Sequence, residues 1–321
     1  MASGPTAQDR LSARPDGRIP IDIAITGANG AVGKALIERL GSNAATRPAR
    51  LRALVRDLGR SATLRDLPAE LVEVDYDDAQ SLARAVDGAD CVAHLAGSLV
   101  PRAGDSLLGA NLLTTKNVAE ASRAQGVKSF VYLSFPGADA RSENEYLRTK
   151  GQAEDVIAEN FASGAIFRVP MILGQDTPAM NQLKRLLGSS FVPLVAGGAV
   201  RIQPIYLGDV VRAIEWAILH PESPLARVNL VGPETILYRD LLMRAGLRLG
   251  RRPRILTIPR GPARAASGII GRFSPSSPMS RTVFDVIFYE HLCNDEKAGS
   301  GAPTPRTGVD EILDLSLPRQ E

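Results

Sequence analysis

From residue 21 onward the chain alternates short β-branched apolar runs with longer stretches in which apolar residues recur every three or four positions. The run IDIAIT at 21–26 has the continuous apolar character of a strand buried on both faces, and Val32, Leu36, Ile37 and Leu40 then fall on one helical stripe. Further strands are predicted at LRALVRD (51–57), ELVEVDYDD (70–78), DCVAHLAG (90–97) and KSFVYLSFPGAD (128–139), with helices at 111–124 and 142–157. Ser142, with Glu145 three residues on, is the predicted cap of the second helix, and Asp209 that of the helix in GDVVRAI. Strands that alternate with helices predict an α/β fold: a doubly wound, mainly parallel sheet of about seven strands. A small C-terminal subdomain is expected beside it.

The first strand and helix are joined by TGANGAVG, in which Gly27, Gly30 and Gly33 stand three apart. A glycine there can take positive φ, a missing Cβ lets backbone N–H groups approach a pyrophosphate, and the helix N-terminus favours negative charge. Gly27, Asn29, Gly30, Ala31 and Val32 are the candidate phosphate contacts. The second strand ends in Arg56, where an acidic residue would hydrogen-bond a ribose 2′-OH and an arginine pairs instead with a 2′-phosphate. NADP(H) is therefore expected over NAD(H), with Asp57 left as an alternative ribose contact. Asp75 and Tyr76 reach the carboxyl edge on the third strand, and Leu95, Ala96 and Gly97 do so on the fourth, where small residues let a cofactor lie close. His94 is expected to be a packed core residue.

Tyr146 and Lys150 lie four apart on one helical face. An ammonium near a phenol would lower the phenol pKa and fit it for acid–base work. Together, TGANGAVG, the DY pair at 75 and 76, HLAG, SFVYLS and YLRTK resemble the extended and atypical short-chain dehydrogenase/reductases of the NAD(P)-binding Rossmann superfamily. FRVPMILG at 167–174, RIQPIYLGDVVRAI at 201–214 and NLVGPETILYRDLL at 229–242 extend the resemblance over about residues 20–260. The pattern is most similar to the subgroup related to the NADPH-binding accessory subunit of respiratory complex I, with epimerase/dehydratase-like proteins alongside. The resemblance implies Tyr146 and Lys150 as catalytic residues that also touch the cofactor, and adds Val169 and Pro170 to the cofactor set. It also implies a Ser or Thr at the position that is Phe135 here, which leaves as replacements Ser134, one residue earlier, the backbone beyond Pro136 and Gly137, or Tyr146 acting alone, with loss of catalysis as the remaining alternative. Three readings stay open: an NADP(H)-dependent oxidoreductase acting on a carbonyl or alcohol, an NADPH-holding assembly or sensor protein without turnover, and a nucleotide-sugar epimerase or dehydratase.

Composition narrows the partners. The 321 residues carry a net charge of +3 and two cysteines, Cys91 and Cys293, with no CxxC spacing. No disulfide framework and no structural metal are expected, and a reducing, cytoplasmic compartment is the natural setting. The arginines are scattered without interleaved aromatics, which argues against nucleic acid. No apolar run reaches the roughly 18 residues of a membrane span. The polar residues 1–18 read as a disordered arm, residues 19–175 as the NADP(H)-binding domain and residues 176–321 as the substrate-binding region, interleaved with the last sheet strands. Leu187, Phe191, Val192, Phe284 and Phe288 are candidate pocket lining and favour a small, rather apolar substrate. The segment 281–292 reads as a lid core or as a membrane-surface contact, and the chain as a monomer or homodimer.

Overall fold

The computed structural model describes residues 21–42, 50–101, 104–274, 277, 279–288 and 301–317. The predicted arm at 1–18, Cys293 and the part of the 281–292 segment beyond residue 288 lie outside them. β1 (Asp22–Thr26) leads into α1 (Ala31–Ser42), and β2 (Arg50–Val55) crosses over through a short 3-10 helix at Gly59–Leu64 to the parallel strand β3 (Glu70–Glu73). α2 (Ala79–Val86) returns the chain to β4 (Cys91–His94), and a π-helical turn at Leu108–Leu113 opens α3 (Thr114–Ala124). β5 (Ser129–Ser134), α4 (Glu145–Asn160) and β6 (Ser163–Arg168) follow. Next come β7 (Ile172–Leu173), α5 (Pro178–Leu187), β8 (Phe191–Val195), β9 (Arg201–Ile202), β10 (Ile205–Tyr206) and α6 (Leu207–Leu219). The chain continues through β11 (Ala226–Asn229), β12 (Ile236–Leu237), α7 (Tyr238–Arg248), β13 (Arg254–Ile258), α8 (Arg260–Phe273), α9 (Arg281–Ile287) and α10 (Val309–Ser316).

Seven strands form the main sheet in the order β11-β6-β5-β4-β1-β2-β3, and every neighbouring pair is parallel. This is a doubly wound Rossmann architecture, as the alternating pattern predicts. Period-2 side chains divide between two cores: Ile23, Ile25, Cys91 and Ala93 pack beneath α1 and α6, whereas Ala24, Val92, Phe130 and Tyr132 pack beneath α2, α3 and α4. The order reverses between β1 and β4, so the crevice beyond their carboxyl ends is the topological switch point where ligands bind in such sheets. A third core, with Leu173, Met180, Leu183 and Leu241, holds the C-terminal elements together.

Three local expectations are corrected by the structure. α4 is capped by Asn144, not Ser142, because the Asn144 side chain accepts from the N–H groups of both Tyr146 and Leu147. Asp209 lies inside the first turn of α6, behind the boundary residue Tyr206. Its carboxylate accepts from the backbone N–H groups of Arg306 and Thr307 and pairs with Arg212, which ties the approach to α10 onto α6. Of the proposed pocket lining, Leu187 and Val192 are fully engaged in the third core and Phe191 faces outward. In α9, Val283, Phe284 and Val286 turn inward and Ile287 stays exposed, so its described apolar face is a packing face.

Candidate functional site

A cleft of about 450 Å³ opens at the switch point. Its floor is the glycine turn, and the three glycines do different things. Gly27 has φ +69, and a Cβ on it would stand 2.6 Å from the Leu95 carbonyl carbon. A Cβ on Gly33 would stand 2.5 Å from the Gly27 carbonyl oxygen, so this position is set by the packing of α1 on the turn. Gly30 is exposed on the cleft wall, and the nearest atom to its Cβ would be the Gly27 oxygen at 3.2 Å. Neither backbone strain nor a severe clash requires glycine there. The missing side chain leaves room for a ligand.

Of the residues picked from the sequence, Gly27, Asn29, Gly30, Arg56, Tyr76, Leu95, Ala96 and Gly97 line this one cleft. Asn29 donates to the Ser61 hydroxyl at 2.9 Å, and Ser61 donates to the Asp57 carbonyl, so the glycine turn is tied to the loop after β2. Arg56 lies over the Tyr76 ring at 5.3 Å and pairs with Asp105 at 3.2 Å across the cleft. Both members of that pair are well exposed, so it contributes at most about 1 kcal/mol and can be exchanged for another anion. Sequence reading missed two further cations on the wall, Lys34 and Arg60. Lys34 directly follows Gly33 in the first turn of α1, and Arg60 is four residues beyond Arg56. That positional pattern was the available signal. Three cations, a backbone cradle and the side-chain-free wall at Gly30 fit a group rich in phosphate.

The remaining picks fall outside the cleft lining. Ala31 and Val32 begin α1 half-buried, with Val32 against the core. The Asp75 carboxylate accepts from the Asp77 N–H and faces solvent. Val169 is a core residue and Pro170 is half-buried beside it. Ser134 is a correction with a clear cause: its hydroxyl donates to Glu154 at 2.5 Å, inside a buried cluster in which Arg168 and Arg227 also hold that carboxylate. A hydroxyl engaged there offers no donor to a substrate carbonyl.

At the inner end of the cleft Gly97, with φ +145, stands in for the side chain that Lys150 and Asn111 leave no room for. A Cβ would lie 3.0 Å from Lys150 Nζ and 2.9 Å from Asn111 Oδ1. Lys150 is buried, and its ammonium donates to the Leu133 carbonyl at 2.8 Å and to the Tyr132 hydroxyl at 3.1 Å. Burial lowers its pKa to about 8 against the opposing pull of Glu154. Tyr132, unremarked in the sequence, is thus the phenol that positions the lysine. Behind it a neutral His94, lowered to about 3 by burial and by the Lys150 charge, bridges the Thr26 and Thr115 hydroxyls.

Tyr146 sits one helical turn from Lys150 in an apolar nest with Leu107 and Val286, and the Phe135 ring meets its edge at 5.6 Å. Burial alone raises its pKa. The expected lowering by Lys150 is therefore not what governs this phenol, which stays protonated through the neutral range. α9 supplies the cover: Val286 packs on Tyr146, and the Asn144 side chain donates to the Thr282 carbonyl at 3.1 Å.

Residues 27–185 match the NAD(P)H-binding family. The chain carries an NAD(P)-binding domain of the Rossmann type, and its homologues include subunits of complex I. It is 26% identical to a ceramide reductase from Caulobacter vibrioides over 88% of this chain and 87% of that protein. It is 23% identical to the mitochondrial 40 kDa subunit of NADH-ubiquinone oxidoreductase from Neurospora crassa, over 85% of this chain and 72% of the subunit. An NADPH-dependent quinone oxidoreductase from Escherichia coli, solved with NADPH, has the same fold, with a TM-score of 0.70 at 20% identity over 91% of this chain and 98% of the other.

Proposed function

We propose that this protein is an NADP(H)-dependent oxidoreductase acting on a carbonyl or alcohol of a rather apolar substrate. The observation that carries the proposal is the junction at Gly97, where a cation-lined cleft meets the Lys150 ammonium, one helical turn from a buried, protonated phenol in an apolar nest. The glycine turn, Lys34, Arg56 and Arg60 would hold the dinucleotide phosphates. NADP(H), when bound, supplies or accepts the hydride. The Tyr146 phenol then gives its proton to the carbonyl oxygen in the reductive direction, while Lys150, fixed by Tyr132 and the Leu133 carbonyl, presents its charge at the end of the cleft. The cluster of Leu99, Leu107, Phe135, Leu147 and Val286 excludes water and favours an apolar substrate over a sugar nucleotide. The name of the Caulobacter relative, a ceramide reductase, supports the same polarity. A reducing, cytoplasmic setting suits the buried thiol of Cys91. Among the described residues no helix is long and apolar enough to cross a membrane.

A second reading, an NADPH-holding protein without turnover, draws on Phe135 at the expected serine position and on the engagement of Ser134 with Glu154. Consumption of NADPH against a panel of ketones, aldehydes, quinones and enones separates the two readings.

Two expected results test the cofactor assignment. Arg56→Ala weakens NADPH by about 1.5–3 kcal/mol, the scale of a charged hydrogen bond to phosphate, and hardly affects NADH; equal losses in calorimetric titrations would remove Arg56 from the 2′-phosphate. The second concerns pH. With its pKa lowered to about 8, Lys150 is charged below that pH and loses its proton as the pH rises through it. NADPH affinity, followed by fluorescence, should weaken between about pH 7 and pH 9. Lys150→Ala should bind more weakly at pH 7 and show no such step. A step that persists in the variant belongs to another group.

A further inference from the structure

α8 has its amphipathicity turned outward. Pro262, Ala265, Ala266, Ile269 and Phe273 recur at helical spacing on one stripe and all are exposed, with Ile269 at 64% and Phe273 at 83%. The one fully buried residue of the helix is Ser267, on the side that packs against α9. The strand that feeds α8 through Pro259 repeats the arrangement. On the β8–β13 ribbon, Arg254 pairs with Phe191 and Leu256 with Pro193, and these four residues and Ile258 face outward while Val192 and Leu194 face the core. An outward apolar stripe of this kind on both a helix and a ribbon is a surface awaiting a partner.

The charge pattern identifies the partner. Between Asp240 and Asp285 the sequence carries nine arginines and no aspartate or glutamate. Because the whole chain has a net charge of only +3, the remainder is net acidic. Arg244 and Arg248, on α7, are answered by Glu234, Asp310 and Asp314 from outside the stretch, so the cations that bear on the α8 face are those from Arg252 onward. Asp285 is shared by Arg264 and Arg281, both at 3.2 Å, and among the described residues Arg252 and Arg272 pair with no carboxylate. Basic residues interspersed with exposed apolar side chains, on a helix of 14 residues, suit a surface that is anionic outside and apolar beneath.

We propose that the solvent face of α8, together with the outer face of the β8–β13 ribbon, docks on an anionic lipid bilayer. Ile269 and Phe273 enter the headgroup–acyl boundary, and Arg252, Arg254 and Arg272 meet lipid phosphates. α8 lies on α9, and α9 covers Tyr146. The bilayer therefore bears on the same helix pair that closes the apolar nest, and an apolar molecule leaving the membrane meets that cover first.

The test is co-sedimentation of the full chain with vesicles of phosphatidylcholine alone and with one third phosphatidylglycerol, at about 0.1 M and 0.5 M salt. The expected result is binding to the anionic vesicles only, weakened at high salt. Arg252→Glu and Arg272→Glu should each reduce binding by at least about fivefold, the equivalent of one basic contact at such a surface. Ile269→Asp with Phe273→Asp should reduce it to background. Since all four side chains are exposed, unchanged circular dichroism and melting are expected to show that each variant is folded. Equal binding to neutral vesicles, or none to either, overturns the proposal. So does retention on RNA or DNA oligonucleotides without vesicle binding, or a dimer in light scattering that Phe273→Asp dissociates while the wild type ignores vesicles.

Discussion

Gly30→Val is expected to abolish binding of NADPH and NADH alike while leaving the fold in place. Gly30 is absent from the residues with positive φ, so a side chain is conformationally admissible there. A Cβ would find only the Gly27 carbonyl oxygen, at 3.2 Å, before reaching the open cleft. Its cost to the protein is that of a poor residue at the start of α1, about 1 kcal/mol, or a melting shift of about 2–4 °C. The cost to a dinucleotide is much larger, because the branched side chain fills the wall against which the pyrophosphate would lie. The contrast with Gly33 makes the result diagnostic. Any Cβ at Gly33 meets the Gly27 oxygen at 2.5 Å and the Ala28 backbone at 2.7 Å, so Gly33→Val should lower the melting temperature severely whether or not cofactor is present. Melting curves with and without NADPH separate the two. Wild-type cofactor affinity in Gly30→Val would make the turn purely structural.

What was legible in the sequence is what depends on neighbours along the chain. The glycine spacing, the position of Arg56 at the end of β2 and the four-residue step from Tyr146 to Lys150 are local, and the backbone hydrogen bonding of one strand or one helix fixes their geometry. What was illegible depends on partners far away. Ser134 reads as a free hydroxyl until Glu154, 20 residues on, takes it at 2.5 Å, and Glu154 in turn is held by Arg227, a further 73 residues along. Lys150 reads as the partner of Tyr146, yet its ammonium turns to Tyr132 on β5, because the buried amine needs acceptors and the Leu133 carbonyl and Tyr132 hydroxyl provide them. α8 shows the same limit at the level of a whole element. Periodicity reveals its apolar stripe, but only the packing of α8 on α9 reveals that the stripe faces out.

The most consequential result concerns Tyr146. If the site is catalytic, Tyr146→Phe should lower the turnover of any accepted carbonyl by about 10²-fold or more, the usual worth of a positioned acid–base group, with NADPH affinity nearly unchanged. The structure sharpens this expectation in three ways. Burial raises the phenol pKa, so in the wild type the proton is present across the neutral range and the reductive rate should show no loss that traces to the tyrosine below about pH 8. The phenol is not part of the cleft lining, so removing its oxygen leaves the cofactor contacts intact. The ring itself carries the apolar contacts with Leu107, Phe135 and Val286, and phenylalanine keeps those, so the variant should melt close to the wild type. A large fall in kcat with unchanged affinity and unchanged melting can then arise only from the lost proton. If the wild type transfers no hydride to any member of the carbonyl, quinone and enone panel, and Tyr146→Phe changes neither affinity nor melting, the phenol is packing beneath α9 and the chain holds NADPH without turning it over.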